Sequence, residues 1–280
     1  MSYLQNNRIE KTFFQLKAKK QKGLICYIMG GYPNPIACES IISSIVDGGA
    51  DIIEIGIPFS DPIADGPVIQ EASFRALQKG VTPQICLNLI RKTRKRYPDL
   101  PIVIMTYSNI LQKNGFKQFM EMAKEVGADG FILPDMTIDE SKKYLEYSKN
   151  LELASIFLVA PNTSNLRIKK TLAVSTGFVY VVSVFGTTGM RNSFNKFTLT
   201  AIKNIKQLSS NKKNISVGFG ISTPHHVKLM SNYGADAVIV GSAIIKKIDG
   251  NKDGSIIEIQ NNLRNYVKSL KAALKAACTN

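Results

Sequence analysis

Three times along the chain a helical pattern closes with Gly-Ala-Asp and the following residues turn apolar. These are Gly49-Ala50-Asp51 before Ile52-Ile53-Glu54-Ile55, Gly127-Ala128-Asp129 before Gly130-Phe131-Ile132-Leu133, and Gly234-Ala235-Asp236 before Ala237-Val238-Ile239-Val240. Glycine just past a helix serves as a left-handed cap, and short glycine-bearing helix-to-strand loops are what repeated β/α units use. Further short apolar runs occupy residues 24–29, 102–106, 154–159, 178–182 and 216–218, which makes eight candidate strands in all. Each is nearly continuous in apolar residues, as parallel strands covered on both faces require. Helical patterns separate them, and their starts are marked. Asn34-Pro35, Thr82-Pro83 and Thr223-Pro224 each set a capping side chain before a proline at the first helical position, and Thr137 with Glu140 has capping-box spacing. One more amphipathic run, residues 9–19, precedes the first strand. Eight alternations in 280 residues predict an α/β chain folded as a (β/α)8 TIM barrel with an extra N-terminal helix, a single domain over residues 1–280. An open doubly wound sheet is the rival, and no Gly-x-Gly-x-x-Gly follows the first strand to support it.

In such a barrel the chemistry lies at the C-terminal strand ends and in the loops beyond them. The second strand is unusual because it carries a carboxylate, Glu54, between Ile53 and Ile55, and runs into a proline-rich loop with two more, Asp61 and Asp65. An ionised group in an apolar strand is costly unless paired, neutralised or used. One reading makes Glu54 a structural carboxylate satisfied by a neighbour. The other makes it an acid/base group, since burial in a barrel mouth lifts a glutamate toward about pH 6 to 7. Asp before Pro or Gly is ordinary turn chemistry, so Asp61 reads as loop-shaping or interfacial, while Asp65 is the second catalytic candidate. The last two strands end in Gly218-Phe219-Gly220 and Gly241-Ser242-Ala243, each followed by helix-compatible sequence. Glycine lets backbone N–H groups approach an anion, and a helix N-terminus adds positive potential, so the pair fits a phosphate. The segment Gly186-Thr187-Thr188-Gly189 would close over the same group, with Gly189 giving a third N–H.

Composition narrows the partners. Thirty-six Lys and Arg against 21 Asp and Glu give +15, but the basic residues are dispersed and their two densest clusters, residues 17–22 and 91–96, end amphipathic helical patterns. They read as solvated helix faces, and no nucleic-acid binding is expected. No apolar stretch approaches the roughly 20 residues of a membrane helix, and the first residues show neither an export signal nor transit-peptide character. A soluble protein is expected, cytoplasmic or, if plastid-encoded, in the plastid stroma; the wealth of Lys, Asn and Ile fits an AT-rich genome. Cys26, Cys38, Cys86 and Cys278 have no metal spacing and read as free thiols. His225 and His226, adjacent at a helix start, read as surface or capping residues, so no metal is expected.

Over nearly its whole length the chain resembles the tryptophan synthase α subunit, most specifically in Glu54-Ile-Gly-Ile-Pro-Phe-Ser-Asp-Pro-Ile-Ala-Asp-Gly-Pro67, with Gly218-Phe-Gly-Ile-Ser222 and residues 183–189 in support. The resemblance implies a lyase that splits indole-3-glycerol phosphate into indole and glyceraldehyde 3-phosphate, with no cofactor in this subunit. By it Glu54 and Asp65 are catalytic, Tyr180 is the active-site tyrosine, and Gly189, Phe219, Gly220, Gly241 and Ser242 bind substrate phosphate. It further implies an α2β2 heterotetramer in which indole passes to a β subunit dependent on pyridoxal phosphate. The loop of residues 58–67, Asn109, Asp135 and the loop ending at Gly189 would face that partner. A stand-alone indole-releasing lyase is the alternative. Another sugar-phosphate barrel enzyme, such as an isomerase, and a basic binding module are the more distant ones. The chain departs from the family pattern at Met29, Phe185 and Thr187, which bear on substrate packing and loop closure.

Overall fold

The computed structural model describes residues 7–183, 196–250 and 255–276. Helix α1 (Arg8–Ala18) comes first, followed by β1 (Gly23–Met29), α2 (Pro35–Asp47) and β2 (Ile52–Gly56). Two helices, α3 (Pro67–Gln78) and α4 (Pro83–Arg96), lead to β3 (Ile102–Met105). Two more, α5 (Ser108–Lys113) and α6 (Phe116–Glu125), lead to β4 (Gly130–Ile132), and then come α7 (Lys142–Asn150), β5 (Ala154–Ile156), β6 (Leu158–Val159) and α8 (Asn165–Val174). The chain continues with β7 (Val179–Val182), α9 (Lys196–Leu208), β8 (Ile215–Gly218), α10 (Pro224–Asn232), β9 (Ala237–Val240), α11 (Ser242–Asp249) and α12 (Ile256–Ala276).

All pairings are parallel, in the order β5-β4-β3-β2-β1-β9-β8-β7-β6. The two ends of that order are consecutive in the chain, so the sheet closes into a barrel of eight staves, as the alternation predicts. The expected strand over residues 154–159 is split at Phe157. Its first half pairs with β4 and its second with β7, and the Phe157 carbonyl accepts the Tyr180 N–H at 3.0 Å. A tilted strand that closes a ring must pass from one neighbour to the other, and the ladder breaks where it changes sides.

The predicted N-terminal helix is α1. It turns Ile9, Phe13 and Leu16 inward, each worth roughly 2 kcal/mol when buried, and stacks Phe13 on Phe178 at 5.9 Å. Asn7 caps it through the Ile9 N–H and donates its amide to the carbonyls of Asp129 and Glu152, which fixes α1 at the N-terminal end of the barrel. Asn34, Thr82 and Thr223 cap α2, α4 and α10 as their dipeptides predict. The Thr137–Glu140 capping box does not form. The Thr137 hydroxyl donates to the Glu140 carboxylate at 2.7 Å, and the helix it would have capped is not there: α7 starts five residues later at Lys142.

The three Gly-Ala-Asp sequences do more than end helices. Gly49, Gly127 and Gly234 all have φ near +100° (103°, 97° and 103°), which only glycine adopts without strain. The aspartate after each then makes a reciprocal pair with the first residues of the next stave over. Asp51 donates its N–H to the Leu24 carbonyl and accepts the Leu24 N–H on its carboxylate; Asp129 does the same with Ile102, and Asp236 with Ile215. Every one of these carboxylates also meets a cation: Lys271 for Asp51, Arg94 and Arg8 for Asp129, Lys206 and Lys22 for Asp236. Arg94 therefore leaves the solvated face expected for the second basic cluster, its guanidinium also holding the Gly127 carbonyl.

Cys26, Cys38 and Cys86 are buried free thiols. Among the described residues no helix is long and apolar enough to cross a membrane.

Candidate active site

Strand β2 places Glu54 between Tyr27 of β1 and Val103 of β3. Its carboxyl is 1% exposed, and its Oε2 has no hydrogen-bond partner. Burial, with a smaller push from the Asp65 charge, lifts its pKa to about 8. A carboxylic acid is thus kept neutral at physiological pH and aimed into a cavity rather than tied to a neighbour. The structural reading of Glu54 required a satisfying partner, and among the described residues none is found for that oxygen.

Asp65 stands at the end of the loop between β2 and α3. The loop is braced from inside: Ser73 bonds both the N–H and the carbonyl of Phe59, and the Asp65 N–H donates to the Pro62 carbonyl. Asp65 Oδ2 accepts the Tyr107 hydroxyl at 3.0 Å. Burial raises its pKa to about 6, and the Tyr107 hydrogen bond works against that rise. Two carboxyl groups in one pocket are therefore split, Asp65 ionised and Glu54 protonated at pH 7. Asp61 is exposed and accepts the Ser60 hydroxyl, in keeping with a loop-shaping part.

Opposite the acids lie the ends of β8 and β9. Phe219 and Gly220 follow β8 with φ of 72° and 70°, a left-handed pair held by the Ser183 hydroxyl, which donates to the Gly218 and Phe219 carbonyls. Gly241 caps α11, so the N–H groups of Ser242 and Ala243 have no acceptor within the helix. The far end of α11 is moored too: Asp249 accepts the Tyr32 hydroxyl and pairs with Arg75 of α3 at 3.7 Å.

Two tyrosines span the distance between acids and cradle. The Tyr27 ring packs its root 3.3 Å from where a Gly241 Cβ would stand, and its hydroxyl lies 2.2 Å from a Gly56 Cβ position. The Tyr180 hydroxyl lies equally close over Gly218, while its ring meets Phe219 edge-on at 6.0 Å. Gly56 and Gly218 are glycine because phenol groups occupy the space a side chain would fill. Glu54, Asp65, Tyr180, Phe219, Gly220, Gly241 and Ser242 all line one cavity of about 170 Å³, together with Tyr27, Met105, Ile221 and Ile239. Gly189, like Phe185 and Thr187, lies outside the described residues. Tyr27 and Tyr107 are the functional candidates that sequence reasoning missed. Tyr107 stood in the segment 106–109, already conspicuous at a strand end, whereas Tyr27 was hidden within an apolar run. His226 accepts the Ser222 N–H and takes part in the α10 cap, as a surface or capping residue should.

The family model described as "Tryptophan synthase alpha chain" matches residues 13–275. The chain belongs to the tryptophan synthase alpha chain family. A tryptophan synthase alpha chain from Methanocaldococcus jannaschii is 42% identical over 246 residues, covering 88% of this chain and 86% of that one. One from Prochlorococcus marinus subsp. pastoris is 38% identical, covering 90% and 89%. Among solved structures, the tryptophan synthase subunit alpha of Legionella pneumophila superposes with a TM-score of 0.85 at 34% identity, covering 96% of this chain and 99% of that chain. A tryptophan synthase from M. tuberculosis in its aminoacrylate-bound form gives 0.84 at 30% identity over the same shares. Against the tryptophan synthase alpha pattern, the departure at Met29 is absorbed behind the cavity wall: its side chain is buried, and its sulfur receives the Tyr27 hydroxyl at 3.8 Å.

Proposed function

We propose that this chain cleaves indole-3-glycerol phosphate into indole and glyceraldehyde 3-phosphate by a retro-aldol reaction. The observation that carries the reading is a neutral glutamic acid, one of its oxygens without a hydrogen-bond partner among the described residues, sharing a cavity with a helix N-terminus and a glycine loop. The phosphate sits against the N–H groups of Gly220, Gly241 and Ser242, which sets the reach of the rest of the substrate. Glu54 gives its proton to indole C3, producing an indolenine cation. As a carboxylate it then takes the proton of the C3′ hydroxyl. The O–H bonding pair becomes the second bond of the aldehyde C=O, the C3–C3′ bond breaks, and its electron pair restores the aromatic ring. Asp65 accepts the indole N–H and stabilises the positive charge while it lasts. Tyr180 and Tyr27 wall the cavity and keep water from the cation.

The same reading makes residues 1–280 one catalytic domain that assembles with a β subunit as α2β2 and passes indole to it, in the last stage of tryptophan formation. Its support is positional: the loop of residues 58–67, Asn109 and Asp135 all follow strand ends on the cavity's face, and Ile63 at the loop tip is 82% exposed. The Lys, Asn and Ile surplus supports the plastid stroma if the gene is organellar, and the cytoplasm otherwise. The deciding experiment is indole release by the purified chain from indole-3-glycerol phosphate, with and without added β subunit. Release stimulated by the β subunit supports the assembly, release indifferent to it favours a stand-alone lyase, and no release under either condition refutes the reaction.

A further inference from the structure

We propose that Tyr107 is a positioning residue for this reaction, holding Asp65 as an ionised acceptor at the lip of the cavity and fixing the loop that carries it. The inference rests on the reading of Asp65 as the group that accepts the indole N–H. A phenol has one proton to give, and here its direction is set. The Ala64 N–H donates to the Tyr107 oxygen at 3.1 Å, so the Tyr107 proton goes to Asp65 Oδ2 at 3.0 Å. A hydrogen bond donated to a carboxylate favours its charged form.

What surrounds Asp65 makes that bond decisive. The titratable groups that act on it or feel it are Glu54 on β2, Tyr27 on β1, Tyr180 on β7 and Tyr107 after β3, and Asp135 faces Tyr107 from the loop after β4. All are carboxyls or phenols, and among the described residues Asp65 has no ion pair. Burial presses Asp65 toward its neutral form, in which it stabilises no cation. The Tyr107 hydroxyl is the influence on the other side.

Tyr107 is itself held rigidly. Its ring stacks on Phe59 of the same acid loop, with centroids 5.1 Å apart and planes 30° apart. The next residue, Ser108, gives its N–H to both oxygens of Asp135 at 3.0 and 3.1 Å and its hydroxyl to Oδ2 at 2.5 Å. One tyrosine thus touches Phe59, Ala64 and Asp65 of the β2 loop from a base anchored to the β4 loop. Locked this way, it gives Asp65 a fixed orientation without a cation that would compete with the developing indolenine charge.

The test is Tyr107→Phe, which keeps the stack on Phe59 and removes both hydrogen bonds. Indole release is followed from pH 5 to 9, giving kcat and KM separately, beside Asp65→Asn and the double variant. The acid limb of kcat should move up by on the order of one pH unit, so turnover falls roughly five-fold at pH 6 and much less at pH 8. KM should stay close to that of the parent, because the cradle on β8 and β9 is untouched. In the Asp65→Asn background the Tyr107→Phe change should add no further pH dependence. An unmoved acid limb, or an equal loss at every pH that persists in the Asp65→Asn background, overturns the proposal. Full turnover by Asp65→Asn would remove the role of Asp65 itself, and the proposal with it.

Discussion

Replacing Glu54 with glutamine keeps the side chain's shape, deletes its exchangeable proton, and so separates catalysis from folding. The folded pKa of about 8 against an ordinary 4.5 leaves the group roughly nine-tenths protonated at pH 7. Because the folded value is the higher one, the folded chain retains a proton that the unfolded chain releases. The associated stability is complete below pH 4.5 and is progressively lost as pH rises to 8. That loss amounts to roughly 3 kcal/mol at pH 7 and approaches 5 kcal/mol by pH 9. Glutamine is neutral in both states and escapes it. Glu54→Gln should therefore lower indole release by about 10²-fold or more, the scale of a lost general acid. It should also gain stability over the parent, by a margin that widens from pH 5 to 9. Steady-state indole release and urea titrations at pH 5, 7 and 9 measure the two effects, and taking the difference from the parent cancels the other raised carboxyls. Turnover within ten-fold of the parent, or a stability margin that does not change with pH, would refute the reasoning.

The reaction needs Asp65 ionised and Glu54 protonated, so kcat/KM should be bell-shaped, with limbs near pH 6 and pH 8; activity still climbing at pH 9 contradicts the assignment. Gly218→Ala puts a methyl 2.2 Å from the Tyr180 oxygen and 2.6 Å from the ring carbon that bears it. That should cost about 1 to 3 kcal/mol in urea titrations and displace the Tyr180 ring in a crystal structure, whereas an unmoved ring at full stability argues against the close approach. Asp129→Ala strips Arg94 and the Ile102 N–H of a buried partner. A stability loss of about 3 kcal/mol with KM unchanged is expected, and a loss under 1 kcal/mol would show the tie to be dispensable.

The eight staves, the plugging helix and the proline-led helix starts were legible because they depend on local patterns: apolar runs, a cap followed by proline, and glycine at a chain reversal. Seven of the eight proposed site residues converge on one cavity because the barrel delivers strand ends to a single face, and a parallel alternation announces that face. What escaped is what depends on neighbours in space. The break at Phe157 follows from ring closure, which no single strand encodes. Tyr27 looked like filler in an apolar strand until Gly56 and Gly241 were found beneath it. The capping-box spacing of Thr137 and Glu140 marks no helix start, because the two side chains bond to each other in the loop ahead of α7, which begins at Lys142. The aspartates of the three Gly-Ala-Asp repeats give no local sign of their part, since the N–H groups their carboxylates accept lie on a stave 21 to 27 residues away.

Those three aspartates sit at strand beginnings, whereas Glu54, Asp65 and the phosphate cradle sit at or beyond strand ends. Substitutions at the two places should therefore fail differently, the first by lowering how much protein accumulates and the second by lowering what each molecule does. A lineage built this way is free to replace its upper loops, and with them its chemistry, while inheriting an unaltered foundation.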